Sequence, residues 1–380
     1  MLIYNLIITA ILFVLLIICV WNLYILRRKN YSEISESELP FVSVLVPARN
    51  EEHNIKNILT SLLVQDYPKY EVIVLNDNSE DKTGEIIDSI AKEYPHLKVL
   101  NGKPLISGWT GKSYACKQLY EASMGEYILF TDADTIHNPN SMRDSITIAL
   151  NRKANMLTLF PKMIMITFAE KLIMPMLWFT IMMLLPFYFV DKKGFTNFSI
   201  GIGPFMLFKR KSYEEIGGHE SVKDALVEDI CLSKKIKEQD LKLIAEDGHN
   251  LLSVRMYRNF KEIWNGFSKN IFAGFEFSST RLFILNTVYI LLFFLPFLLF
   301  LIELYLQSDI NYIVILISIQ IAILYIARII ISVKFKLGII SSLLHPLGVI
   351  TIPLIALNSW RWIISGEGAK WKGRTYNPEK

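Results

Sequence analysis

Cysteine is scarce: Cys19, Cys116 and Cys231 are the only three in 380 residues, and no two stand at a spacing that holds a metal. That excludes a disulfide framework and suits a reducing compartment. A long block of one charge is also missing. The net charge is +4, and the cations stand mostly beside apolar segments, so nucleic acid is not an expected partner. Internal repeats and low-complexity tracts are absent. So is the pattern of a cleaved leader, in which positive charges precede the apolar core and small residues follow it.

What the chain has in excess is apolar sequence, 52% of all residues, gathered into runs. Met1 to Leu26 is nearly free of charge and then meets Arg27, Arg28 and Lys29. A run of roughly 20 apolar residues can span a bilayer as a helix. Because the charges follow the run, residues 1–28 read as an uncleaved anchor with the N-terminus outside and the bulk of the chain in the cytoplasm. Leu282–Leu304 and Tyr312–Val333 read as two further spans, and the connection "YLQSDIN" lacks Lys and Arg and should face out. The last apolar stretch, Leu337–Leu357, contains His345, Pro346 and Pro353. A full crossing would place five Lys or Arg residues of the tail outside, so a re-entrant or hairpin segment is expected. These segments make up a membrane region over 282–358, and residues 359–380 form a cytoplasmic tail. Residues 163–190 are apolar but broken by Glu170, Lys171, Pro175 and Pro186. They predict a pair of interfacial helices inside the catalytic domain.

Between the anchor and the later spans the periodicity changes. "FVSVLV", "YEVIVL", "LKVLNG" and "EYILF" read as strands, and stretches with helical apolar spacing separate them. Strands alternating with helices predict a mostly parallel sheet covered on both faces, placed over residues 40–277. Ligands of such sheets bind beyond the carboxyl ends of the strands.

The chemistry-bearing residues cluster there. "PARNEE" (Pro47 to Glu52) follows the first strand and, taken alone, is an ordinary capping loop with Asn50 as the cap. "LNDNSED" ends the second strand on Asp77, a residue that can accept from the imino N–H of a pyrimidine. "GWTGKSYA" brackets Trp109 between glycines and offers Lys112 as a point charge for a phosphate. "TDAD" ends the fourth strand on Asp132 and Asp134. Two like charges so close require a compensating partner, and a divalent ion bound to a diphosphate supplies one. "VED" puts Glu228 and Asp229 in the first turn of a predicted helix, where helix-dipole complementarity alone would also favour them. Spacing does not decide which of the two would be a general base.

In this order, "PARNEE", "LNDNSED", "GWTGKS", "TDAD" and "VED" resemble a family 2 glycosyltransferase with the Rossmann-like GT-A fold. The Gly–Trp–Thr–Gly–Lys element, the membrane segments and the terminal "WKGRTY" are most similar to the carotenoid (diaponeurosporenoate) and hopanoid-associated branch. The resemblance implies an inverting hexosyltransferase that uses a UDP-sugar, with glucose as the expected sugar, Mg²⁺ or Mn²⁺ as cofactor, and a membrane lipid such as a carotenoid acid as acceptor. It implies Asp77 as base-binding residue, Asp132 and Asp134 as the metal–diphosphate pair, and Asp229 as catalytic base, with Glu228 as its competitor. Pro47, Ala48, Arg49, Glu51, Lys112 and Arg374 are the remaining candidate donor contacts. Trp109, Gly203, His219 and Trp371 are candidate acceptor contacts, with His219 as readily a surface residue. "RMYRNFKEIWNGFSKN" (Arg255 to Asn270) reads equally as an interfacial helix or a diphosphate contact. The tail "KWKGRTY", claimed by no helix or strand pattern, is expected either to fix topology only or to close over the donor. The Gln–x–x–Arg–Trp motif of processive synthases is missing, which favours transfer of a single sugar. The competing readings are a polyisoprenyl-phosphate glycosyltransferase and a non-catalytic membrane scaffold.

Overall fold

The computed structural model describes residues 1–27, 30–306 and 311–376. Arg28 and Lys29 of the flank expected to orient the anchor, residues 307–310 of the connection expected to face out, and the last four residues of the tail lie outside them. The chain divides into two compact units, one formed by Leu26–Ile164 and Tyr188–Met256, the other by Met1–Ile25, Met165–Phe187 and Tyr257–Lys380.

Among its described residues the first unit holds ten strands: β1 Val42–Ala48, β2 Tyr70–Asn76, β3 Leu97–Asn101, β4 Tyr127–Phe130, β5 Thr135–His137, β6 Met156–Phe160, β7 Lys162–Met163, β8 Met206–Lys209, β9 Leu243–Asp247 and β10 Leu252–Val254. Seven form one sheet in the order β3-β2-β1-β4-β8-β6-β9, and β5-β10-β7 form a small second sheet. In the large sheet all pairs are parallel except those made by β8, which runs antiparallel to β4 and β6. Val42, Val44, Leu45 and Val46 of β1 are fully buried, as a strand covered on both faces requires. Chain order runs outward from β1 through β2 to β3, then returns to β4 on the other side of β1. The crevice at that reversal opens beyond the carboxyl ends of β1 and β4, where doubly wound sheets bind ligands.

The second unit is helical. Among the described residues three helices are long and apolar enough to cross a membrane: Leu2–Ile25, Tyr312–Lys334 and His345–Ile364. A fourth candidate is the pair Ser279–Phe293 and Leu295–Tyr305, bent by 45°. Polar side chains tie the helices together, as expected where lipid offers no hydrogen bonds. Gln320 Nε2 donates to Asn5 and Thr9 at 3.0–3.1 Å. Asn22 donates to the carbonyls of Met182 and Leu185 and accepts from the N–H of Phe187, which satisfies the backbone around Pro186.

Two expectations are corrected. Residues 163–190 do not form a helix pair; a single helix, Phe168–Leu184, passes through Pro175 and groups with the apolar helices rather than with the sheet. Glu170 does not break it, because its carboxylate closes a capping box with Thr167 and is fully buried there. The last apolar stretch does not fold back on itself after Pro346: behind a short helix, Ile340–Leu343, it runs on as one helix, His345–Ile364. Pro346 sits in its first turn, where no N–H is needed, and Pro353 is absorbed inside it. Beyond this helix the tail forms a hairpin, β11 Ala369–Trp371 with β12 Arg374–Tyr376. Its two-residue turn places Lys372 and Gly373 both at positive φ, the geometry that suits the twist of a tight hairpin.

Candidate active site

The loops after β1 and β2 are stitched to each other. The Asp77 N–H donates to the Ala48 carbonyl at 2.8 Å, and Arg49 Nη1 donates to the carbonyls of Asp77 and Asn78 at 2.8 and 2.6 Å. Arg49 also pairs with Glu80 at 2.8 Å. Asn50, at φ 52°, accepts from the Glu80 N–H, and the Glu51 N–H donates to Thr83 Oγ1. Asn50 is therefore not a helix cap; the following helix, Ile55–Leu63, begins after Asn54. Pro47 and Ala48 end β1, and Asp77 is buried at 6% exposure beside them. Arg49 thus braces a wall around Asp77.

The helix Gly111–Glu121 starts at the N-cap Thr110, whose hydroxyl accepts from the Ser113 N–H. Its first turn carries Lys112, and a helix N-terminus with a lysine is suited to an anion. Lys112 Nζ lies 2.6 Å from Asp132 Oδ1 and 2.8 Å from Glu228 Oε1. Burial works to lower the Lys112 pKa, but Asp132, Glu228 and Asp229 outweigh it and hold the ammonium well above its usual value. Trp109 stands at the mouth of this helix, edge-on to Tyr114 with ring centroids 5.5 Å apart and with Lys117 over its ring at 5.3 Å.

Asp132 and Asp134 follow β4 and are both half-buried, with the buried Ala133 between them. The turn is fixed from behind. Thr131 donates to the Pro204 carbonyl at 2.8 Å and meets His137 Nε2 at 2.9 Å. Burial lowers the His137 pKa to about 4, so this ring is neutral in ordinary conditions. Neither Thr131 nor His137 was legible as a site residue, because they meet only when β4 and β5 are in place.

Glu228 and Asp229 begin the helix Glu228–Glu238 but take different partners. Glu228 is 5% exposed and held by Lys112. Asp229 Oδ2 accepts from the Gly203 N–H at 3.1 Å, and Oδ1 accepts from the Ile230 N–H at 2.8 Å. Burial, reinforced by Glu228 and opposed by Lys112, pushes the Asp229 carboxyl up to about 6. Gly203 is glycine for a steric reason: a Cβ there would lie 2.7 Å from Asp132 Oδ2 and 3.3 Å from Lys112 Nζ. Its backbone therefore runs directly between the two acidic elements.

The remaining expected residues have their own local surroundings. His219 is not at the surface but 1% exposed, with its Nδ1 2.7 Å from the Tyr213 hydroxyl and its ring packed on Phe130. Aromatic packing under β4 claims it, and burial lowers its pKa to about 3. Trp371 and Arg374 belong to the helical unit and are paired in register at the turn end of the terminal hairpin. The segment around Arg255–Asn270 forms a helix, Phe260–Gly274, of that unit, capped by Asn259.

No group of three or more His, Cys, Asp or Glu residues among the described ones makes a ready-made metal cage. The two carboxylates after β4 nevertheless fit a hard cation that takes most of its oxygens from a diphosphate and water, as Mg²⁺ and Mn²⁺ do.

Residues 43–217 match the family model for glycosyl transferase family 2. The chain is 43% identical over 110 residues to the beta-monoglucosyldiacylglycerol synthase of Trichormus variabilis, covering 28% of this chain and 23% of that protein. It is 28% identical over 251 residues to the 4,4'-diaponeurosporenoate glycosyltransferase of Staphylococcus haemolyticus, covering 65% of this chain and 64% of that one. The chain thus spans less than two thirds of the length of either relative. In structure it is similar to the mannosyltransferase PcManGT of Pyrobaculum calidifontis, solved with GDP-Man and Mn²⁺, at a TM-score of 0.55 and 17% identity over 96% of this chain and 99% of that one. A parallel-rich sheet ordered around β1 and β4, with acidic residues at its carboxyl edge, is a GT-A-like fold, and the match to the glycosyl transferase family 2 model covers residues 43–217, somewhat less than half of the chain.

Proposed function

We propose that this protein is an inverting glycosyltransferase that moves one hexose, glucose by preference, from a UDP-sugar to a lipid in the membrane. The observation that carries the reading is the convergence of Lys112, Asp132, Glu228 and Asp229 at the carboxyl edge of β1 and β4. One cation and three carboxylates there can serve a phosphate leaving group and an attacking oxygen together. Both named relatives join a sugar to a lipid, and the fold neighbour was solved with a nucleotide diphosphate sugar and a divalent ion.

In this reading Asp77 accepts from the base of the donor within the wall braced by Arg49. Asp134, with Asp132, would hold Mg²⁺ or Mn²⁺, which supplies charge neutralisation at the diphosphate. Lys112 adds a fixed positive charge where negative charge develops as the bond from the anomeric carbon to phosphate oxygen breaks. Asp229 accepts the proton of the acceptor hydroxyl as its oxygen forms the new bond from the opposite face. Glu228, locked to Lys112, orients the lysine and is not available as the base. A carboxylic acid acceptor is already ionised near neutral pH and asks little of Asp229.

The test is to incubate membranes containing the protein with labelled UDP-glucose and, in turn, a carotenoid acid, diacylglycerol and a polyisoprenyl phosphate. A glycolipid product from one of the first two supports the proposal. Transfer to the polyisoprenyl phosphate alone favours the second enzyme reading. With no transfer and no release of UDP the chain is a scaffold.

A further inference from the structure

The helical unit buries a cation that its own residues do not satisfy. Arg328, on the helix Tyr312–Lys334, is 0% exposed. Its Nη2 donates to the Ser341 carbonyl at 3.3 Å, while Nε and Nη1 make no hydrogen bond. Among the described residues no carboxylate pairs with it; one titratable neighbour is the Tyr289 hydroxyl, itself 3.4 Å from Thr180 Oγ1. His345 is also 0% exposed and acts electrostatically on the same group, and neither of its ring nitrogens has a hydrogen-bond partner. Aromatic rings of Phe179, Phe297 and Tyr325 surround it at 4.7–6.3 Å.

A buried arginine in a membrane helix is costly and marks a functional site unless a partner satisfies it. Two further features give the site its sign. His345 is the first residue of the 20-residue helix His345–Ile364, so the positive end of that helix dipole points into the cluster. Ser332, Ser342 and the Ser341 carbonyl line the same short turn, so the surroundings are polar without being anionic. Arg328 stands six residues before Lys334, about 9 Å from the end of its helix at 1.5 Å per residue.

We infer that the helical unit carries an anion site in which Arg328, beside His345 and the N-terminus of the last helix, receives a carboxylate or phosphate oxygen. The two available sources are the acidic group of an amphiphile and a soluble anion. The site is independent of the transfer chemistry proposed above, since its evidence and its ligand contacts lie wholly in the helical unit.

The experiment uses the purified full-length protein in neutral detergent, with binding read by native mass spectrometry and thermal shift. The probes are oleic acid, dioleoyl phosphatidic acid, dioleoylglycerol and inorganic phosphate. Retention of the acidic lipids with a raised thermal midpoint, and no effect of dioleoylglycerol, is the expected result and places the oxyanion on an amphiphile. A response to inorganic phosphate alone places it on a soluble ion. Arg328→Gln is expected to weaken the binding by roughly 10- to 100-fold, the range for one charge-assisted hydrogen bond, and Arg328→Lys to keep part of it. Equal binding of dioleoylglycerol and phosphatidic acid by the unaltered protein, or binding that Arg328→Gln leaves intact, overturns the inference. The first of these outcomes is readable even if the variant fails to fold.

Discussion

The backbone N–H of Gly203 donates to the carboxylate of Asp229 at 3.1 Å. A glycine on a loop thereby aims the side chain of a helix, and it does so from a position where a Cβ would displace the carboxylate of Asp132. The proposed base is held by a peptide group, which cannot change rotamer, and its second oxygen is fixed by the Ile230 N–H.

Gly203→Ala is expected to lower turnover by about 10²-fold, the scale for misplacing a reacting group by 1 Å. The added methyl must push on Asp132 or Lys112, so donor affinity should fall as well. A normal kcat in a folded Gly203→Ala protein would remove Gly203 from this role.

Asp229→Asn should retain UDP binding and lose roughly 10²–10⁴ in turnover with a hydroxyl acceptor. Because burial and Glu228 push the carboxyl up to about 6, the ionised base disappears as pH falls through that value. The rate with a hydroxyl acceptor should therefore drop below about pH 6. With a carboxylic acid acceptor the same limb should flatten. Should Glu228→Gln be inactive while Asp229→Asn is active, the roles are reversed.

Lys112→Met leaves Asp132 and the buried Glu228 without their shared cation. Donor affinity should weaken by roughly 10- to 100-fold, as for loss of a charge-assisted contact, and the thermal midpoint should fall. Adding Glu228→Gln to this variant should recover stability without activity. Calorimetric melting and UDP titration of the single and double variants separate the two effects.

Chelation should abolish transfer, and Mn²⁺ or Mg²⁺ should restore it. Asp134→Asn should raise the metal concentration needed for half-maximal rate. Undiminished activity in excess EDTA would end the assignment of Asp132 and Asp134 to a cation.

His137 and His219 are buried neutral, with pKa values lowered to about 4 and about 3. The unfolded chain binds their protons first, so each withdraws stability as pH falls from its unfolded value near 6.5 toward its folded one. Asp229, raised to about 6, acts in the opposite sense between about pH 6 and 4. Two histidines oppose one aspartate, so the sheet-containing unit should melt earlier as pH drops from 7 to 4. His219→Gln should reduce that slope, and an unchanged slope would show that its burial is not felt.

Sequence alone determined the local periods and the punctuation between them. The strand runs at Val42, Tyr70, Leu97 and Tyr127, the acidic strand ends at Asp77, Asp132 and Asp134, and the apolar helices Leu2–Ile25 and Tyr312–Lys334 were legible. Each follows from a repeat or a boundary within a dozen neighbouring residues. Only the tertiary structure decided what those residues meet. Lys112, Asp132 and Glu228 lie far apart in the chain and form one ion-pair group because β8 enters antiparallel beside β4, carrying Gly203 and Pro204 to the end of that strand. Asn22 reaches the backbone near Pro186, His219 goes under β4, and residues 345–364 run as one helix. Charge pairing and packing act through space, and a sequence period reports only the order along the chain.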